Sequence, residues 1–305
     1  MDTSNFKVLW GLNDGAFFFD FYKILWYNIN TMRKKEIEKR LAEHYQELLT
    51  IIPEKQVFAL CLQGSQNYNM ADKDSDIDSK AIVLPSLDDI IFNHEAKSYT
   101  HVRANDEHID IKDIRLMFNQ YRKQNINFVE TLFTKYVIVN PIYQQYWDLL
   151  ISRKEEIAHY NPLQAMKTMC GMCSEKFHAL LHEYPSRKYW LDKFGYDPKQ
   201  LSHLIRVYEF MKMYSKGVPY EDCLIPFSVD YLHKVKRGQI SYTPEVAEQI
   251  AQEYLDRAVS LKKEYESFAP AESLKPNQET DKFLDDVLNK IMRTYMKEEL
   301  NNADS

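Results

Sequence analysis

The chain has 305 residues, enough for two domains or one large one, and 45% hydrophobic content supplies a sizeable core. A net charge of −6 creates no global field for nucleic acid, so any such contact must come from local basic patches. Four Cys (Cys61, Cys170, Cys173, Cys223) form no disulfide framework in a chain this long, no segment reaches the roughly 20 apolar residues of a membrane span, and Asp14 and Asp20 interrupt Ala16-Phe17-Phe18-Phe19 against a signal peptide; the expectation is a reducing, cytoplasmic compartment.

Residues 1–31 are aromatic-rich without clear periodicity. They read as an N-terminal extension, either a packing element or sequence upstream of a start at Met32. From Arg33 to Ile52, the residues Ile37, Leu41, Tyr45, Leu48, Leu49 and Ile52 recur on one helical face, which Pro53 stops. Val57-Phe58-Ala59-Leu60-Cys61-Leu62 is apolar on both faces and predicts a buried strand. Residues 77–84 predict a second strand, ended by Pro85. Residues 97–103 and 108–112 predict weaker ones, the last with His108, Asp110 and Lys112 on one face and Ile109 and Ile111 on the other.

Beyond Asp113 the pattern turns helical: Ile114 to Arg122, Asn127 to Phe133, Pro141 to Ile157, Pro162 to Leu181, Pro198 to Tyr214, Pro244 to Phe268 and Glu279 to Leu300. Pro141, Pro162, Pro198 and Pro244 stand at or near first turns, where a missing N–H costs nothing. The expected fold is α+β: a small mixed sheet with helices over 32–140, a helical domain over 141–300, and a polar, frayed tail over 301–305.

The chemistry concentrates between the first two strands. Gly64-Ser65 follows the apolar run directly. If Ser65 opens a helix, its hydroxyl and the free N–H groups form a phosphate cradle, and Gly64 admits close approach to the backbone. Asp72, Lys73, Asp74 and Ser75 make a turn. Asp76 and Asp78 then stand at i and i+2 of a strand, with both carboxylates on one side. Such a pair beside a phosphate cradle suits Mg²⁺, which takes oxygen ligands and shares them with substrate phosphates. A third carboxylate would complete a two-metal site; Asp110 is the first choice, with Asp106 and Glu107 as substitutes. The plain alternative is a solvated acidic loop. An EF-hand fails, because neither possible loop has Gly at position six or Glu at twelve.

Gly64-Ser65 with Asp76-Ile77-Asp78 resembles the signature of the DNA polymerase β-like nucleotidyltransferase superfamily. Within it, the chain resembles the predicted nucleotidyltransferases associated with RNA repair. That narrower likeness rests on Gly64-Ser65-Gln66-Asn67-Tyr68, on Asn125 to Phe133, and on Gly195 to Arg206, and covers roughly residues 55–240. Ile126, Asn69, Ser79 and Ala81 depart from the family's usual Pro, Gly, apolar residue and Gly. The departures bear on pocket shape and leave the Gly-Ser and the metal ligands intact.

Lys199, His203 and Arg206 share a helix face at i, i+4 and i+7. Spacing alone suits a solvated basic stripe. The resemblance implies that this helix faces the metal site and binds nucleotide phosphates. Tyr189, Trp190, Phe194 and Tyr196, with Arg187 and Lys188, have the composition of a base-stacking surface, yet read first as core. Lys234, Lys236 and Arg237 read as a solvated helix end. Cys170, Cys173, His178 and His182 span about 18 Å of one helix, too far for one tetrahedral ion, and read as core.

The expected activity is therefore metal-dependent transfer of an NMP from an NTP to a hydroxyl, with release of pyrophosphate. Asp76, Asp78 and Asp110 would hold two Mg²⁺, Gly64 and Ser65 would hold the triphosphate, and Asp110 would help deprotonate the acceptor. The resemblance implies an RNA end as acceptor. A protein-modifying enzyme of the toxin–antitoxin kind and a non-catalytic nucleotide- or RNA-binding protein are the alternatives.

Overall fold

The computed structural model describes residues 34–71, 75–240 and 242–303. The expected extension over 1–31 and the turn residues Asp72 to Asp74 lie outside the described residues. Helix α1 (residues 34–48) is shorter than its periodicity, because the chain turns through Thr50 to Ile52 ahead of Pro53.

Five strands follow: β1 Val57–Gln63, β2 Asp78–Val83, β3 Ser98–Val102, β4 His108–Asp113 and β5 Val137–Val139, in the order β3-β4-β2-β1-β5. β1 runs antiparallel to β2 and β5, β2 parallel to β4, and β3 antiparallel to β4. Leu60, Ala81, Val83, Ile109 and Ile111 pack one face of this mixed sheet against Leu41 and Leu48 of α1. A register shift between Val57 and Ala59 turns both Phe58 and Ala59 into the core on the other face.

The helices are α2 Leu87–Ile91, α3 Ile114–Arg122, α4 Ile126–Val129, α5 Gln144–Ser152, α6 Lys154–Ala158, α7 Pro162–Leu180, α8 Lys188–Phe194, α9 Pro198–Tyr214, α10 Tyr220–Cys223, α11 Val229–Lys236, α12 Pro244–Phe268 and α13 Gln278–Ala303. The fold is thus mixed α+β, with every described strand before residue 140 and a largely helical remainder. α7, α9 and α12 pack on one another. The helix expected over 141–157 is instead a 3-10 turn followed by α5 and α6. It breaks at Arg153, whose side chain pairs with Glu279 and lies over the Phe283 ring. Helix α13 runs through the expected tail to Ala303.

α13 also returns to the first part of the chain. Arg122 pairs with Asp281 and Asp285 at 2.6 Å each, and Leu284, Val287, Ile291 and Tyr295 share a core with Phe58 and Trp147. The apolar interior therefore runs unbroken across the boundary expected at residue 140. Among the described residues, no helix is long and apolar enough to cross a membrane.

Candidate functional site

The Gly-Ser turn is held by local chemistry. Gly64 leaves β1 with φ 92°, a conformation that favours glycine. Ser65–Tyr68 then forms one 3-10 turn, closed by Asn69 in the left-handed region at φ 57°. Asn tolerates that region better than other non-glycine side chains. The Asn67 side chain donates to Leu62 O (3.0 Å) and accepts from Thr134 Oγ1 (2.8 Å). One 3-10 turn aligns few peptide dipoles, so an anion here must rely on the Ser65 hydroxyl and on nearby cations more than on a helix terminus.

The Asp-x-Asp segment is fixed through its middle residue. Ile77 packs against Ile37 and Leu62; β2 begins only at Asp78, so Asp76 precedes the strand rather than standing in it, yet both aspartates line one cavity. The Ile77 N–H donates to Glu107 Oε1 at 2.8 Å. Glu107 is fully buried and also accepts from Arg40, His44 (3.1 Å), Arg103 (2.9 Å) and Asn105 (2.7 Å). Burial alone would push its carboxyl up. Hydrogen bonds from His44, Asn105 and the Ile77 N–H, with the Arg40 charge, outweigh that and hold it below the usual range. Burial lowers the pKa of His44. In its neutral form Nε2–H donates to Glu107, and Nδ1 accepts from the Ser79 hydroxyl at 2.9 Å. Ser79 is buried, and His44 is its partner.

Asp78 Oδ1 accepts from the His108 N–H at 3.0 Å. Burial raises its pKa, the His108 N–H and ring oppose that, Asp76 adds to it and Lys199 counters it. Asp110 lies elsewhere. In the β2–β4 register it sits beside Lys80, two residues along from Asp78. Its carboxylate pairs with Lys80 at 2.5 Å and with Lys112 at 3.0 Å. Lys80 is itself buried over the Phe128 ring. Asp110 therefore shares the sheet face of Asp78 but does not line the same cavity.

That cavity, of about 940 Å³, brings Gly64, Ser65, Asp76 and Asp78 together with Lys199, His203 and Arg206. Asp197 caps α9, accepting from the Lys199 N–H at 2.9 Å, and so starts the helix that carries all three. Lys199 is exposed, His203 half-buried and Arg206 buried. The Arg206 guanidinium lies 4.0 Å from the Tyr68 ring centre, and its Nε and Nη1 are buried without hydrogen-bond partners among the described residues. His203 is pushed toward its neutral form. Burial drives its pKa well below the usual value, and Arg206, Lys199, Lys176 and Lys236 add to the effect.

Glu130, on the same cavity wall, accepts a hydrogen bond from the Gly64 N–H and leaves Oε2 buried without a partner. Burial raises its pKa against the pull of Arg206, Lys80 and the Gly64 N–H. Two buried glutamates thus anchor the two motif segments, Glu130 at Gly64 and Glu107 at Ile77.

No family model matches the chain, and no curated protein matches it. A solved nucleotidyltransferase-like protein from Exiguobacterium sibiricum is similar over 75% of each chain, at 13% identity and TM-score 0.28. At that level the likeness carries nothing about which residues act.

Two further features stand apart from the cleft. Cys170 and Cys173 are buried in α7, and burial pushes the Cys173 thiol up to about 12. A larger cavity, about 1150 Å³, lies at the far end of α9 against α12 and contains none of the motif residues. Among the described residues, no group of three or more His, Cys, Asp or Glu side chains surrounds a common metal position.

Proposed function

We propose that the chain is a metal-dependent nucleotidyltransferase that moves an NMP from an NTP to a hydroxyl acceptor and releases pyrophosphate. The observation that carries this reading is the meeting of Gly64, Ser65, Asp76 and Asp78 with Lys199, His203 and Arg206 in one cavity. An RNA end is the acceptor that the resemblance implies.

Asp76 and Asp78 fit a divalent cation. Both are oxygen donors on one cavity wall, and the Asp78 carboxylate is partly desolvated. Mg²⁺ commonly takes one or two carboxylates and completes its shell with substrate phosphate and water, so two suffice for an ion that shares the triphosphate. When bound, that ion would neutralise charge at the reacting phosphate. A second ion using Asp110 requires that carboxylate to leave Lys80 first.

The remaining work falls to the chain itself. Ser65 and the Gly64 turn hold the phosphate chain, and Lys199 and Arg206 offset its charge from across the cavity. Buried unpartnered donors such as Arg206 Nε and Nη1 gain most from an incoming anion. The acceptor oxygen forms a bond to the α-phosphorus, the bond to the bridging oxygen breaks, and the electron pair leaves with pyrophosphate. The acceptor proton passes to a carboxylate of the site or to solvent.

One observation favours a second reading, a non-catalytic nucleotide-binding protein: the Asp110 carboxylate is occupied by two lysines. The test supplies each labelled NTP with Mg²⁺ and a panel of RNA ends, tRNA and protein acceptors, with Asp76→Ala and Asp78→Ala as controls. Label transfer that both substitutions abolish is the expected result. Nucleotide binding that persists equally in both variants, with no acceptor labelled, overturns the catalytic reading in favour of the second.

A further inference from the structure

We propose that Trp190 is a stacking shelf for a nucleobase in this cavity, an inference that rests on reading the cleft as a nucleotide site. The aromatic stretch around it reads in the sequence as core, and it divides. Tyr196 is fully buried, Tyr189 is 63% exposed, and Trp190 is half-buried and lines the cavity.

The indole is backed rather than loose. Phe194, one helical turn on, stacks with it at 5.8 Å between ring centres and 15° between planes. Phe194 in turn fills the space that a side chain at Gly238 would take. A Cβ there would stand 2.3 Å from Phe194 Cζ, and Gly238 has φ 63°, which favours glycine in any case. The backbone on either side of Gly238 carries Arg237 and Gln239, which both line the cavity. Loop backbone, Phe194 and Trp190 thus form a layered support ending at the cavity wall.

The chemistry of that wall complements the rest of the site. Ser65, Lys199 and Arg206 suit phosphate, and Trp190 offers a broad π surface to a planar, uncharged group. Tyr68 also borders the cavity, but Arg206 lies over its ring, which leaves Trp190 for stacking. Stacking on an indole discriminates weakly among bases, because every base has a π face. The stacked base belongs either to the incoming nucleotide or to the terminal residue of a nucleic-acid acceptor, and the two sources are separable by ligand.

Calorimetry on the full chain with Mg²⁺ tests this with four NTPs, inorganic tripolyphosphate and a short single-stranded oligonucleotide. Trp190→Ala should weaken all four NTPs by about 5- to 100-fold, while Trp190→Phe stays near wild type. Tripolyphosphate affinity should be unchanged in both variants, which excludes general collapse of the site. Loss of oligonucleotide affinity with NTP affinity intact also supports the shelf and assigns the base to the acceptor. Equal loss of NTP and tripolyphosphate, or no loss for any base-bearing ligand, overturns it. If transfer still depends on Asp76 and Asp78 in that case, only the shelf falls. If the wild-type chain binds none of these ligands, the nucleotide reading falls with it.

Discussion

Replacing Glu107 with Gln removes one buried charge and keeps the shape of the side chain. Oε1 accepts from Arg40 and the Ile77 N–H, and Oε2 from His44, Arg103 and Asn105. An amide has one acceptor oxygen, so whichever way it is turned, at least two donors meet an NH₂ group. Hydrogen bonds to a charged partner contribute about 1.5–3 kcal/mol each. The Arg103 and Arg40 side chains remain 12% and 28% exposed, so water recovers part of the loss. The expected destabilisation is about 2–4 kcal/mol, a large share of the roughly 5–15 kcal/mol that holds a domain together. Urea denaturation at pH 7.5 measures it, and hydrogen exchange reports on the Ile77 amide. Because Asp76 and Asp78 flank Ile77, Mn²⁺ affinity followed by electron paramagnetic resonance should fall about 10- to 100-fold. A stability loss below about 0.5 kcal/mol, with Ile77 exchanging as in wild type, would refute the view that Glu107 clamps this segment.

Arg206→Met should change stability by no more than about 1 kcal/mol, because removing the buried Nε and Nη1 that lack hydrogen bonds is offset by the lost contact with the Tyr68 ring and the lost pull on Glu130. The same variant should bind tripolyphosphate at least about tenfold more weakly, and a stability loss above about 1 kcal/mol contradicts the assignment. Burial lowers the pKa of both His44 and His203 from the ordinary 6.5. The unfolded chain therefore binds protons there that the folded chain does not, so stability is fully present above about pH 6.5 and declines as pH falls below it. Urea midpoints at pH 7.5 and 5.5 check this, and the slope should shrink in a His44→Gln/His203→Gln double variant. Asn69→Gly should be tolerated within about 0.5 kcal/mol, whereas Asn69→Ala should cost about 1 kcal/mol by thermal melting, because position 69 is left-handed.

Elements with strong local signals were legible in the sequence. α3, α9 and α12 begin and end at the residues that apolar spacing, proline at the first turn and capping side chains mark. β5 was not legible: three residues, Val137 to Val139, form a strand only because β1 offers them an edge. α8 and the start of α11 carry no local signal, because short helices depend on what they pack against, and only the basic end of α11 reads as helix. Of the seven candidate residues that meet in the cavity, Gly64, Ser65, Asp76 and Asp78 stand out by motif and spacing, whereas the spacing of Lys199, His203 and Arg206 suits a solvated stripe and only the resemblance points them at the cleft. Asp110 was placed on the right face, but its neighbour Lys80 could be identified only from the strand register. Glu107 reads in the sequence as a substitute metal ligand, but it accepts instead from the Ile77 N–H, thirty residues away. His44 carries no local pattern that separates it from ordinary helix residues, so its bonds to Ser79 and Glu107 emerge only once distant elements meet.

The return of α13 has a consequence for how the chain comes into being. Its apolar stripe, Leu284 to Tyr295, closes a core that includes Phe58 from the first strand. During synthesis the sheet is complete long before that helix leaves the ribosome, and its covering surface is missing until α13 itself has been made. The nascent chain must therefore wait with apolar surface uncovered, in the interval when aggregation competes best with folding. Fragments that end before α13, including one trimmed to the region of family resemblance, should gather in inclusion bodies where the whole chain does not.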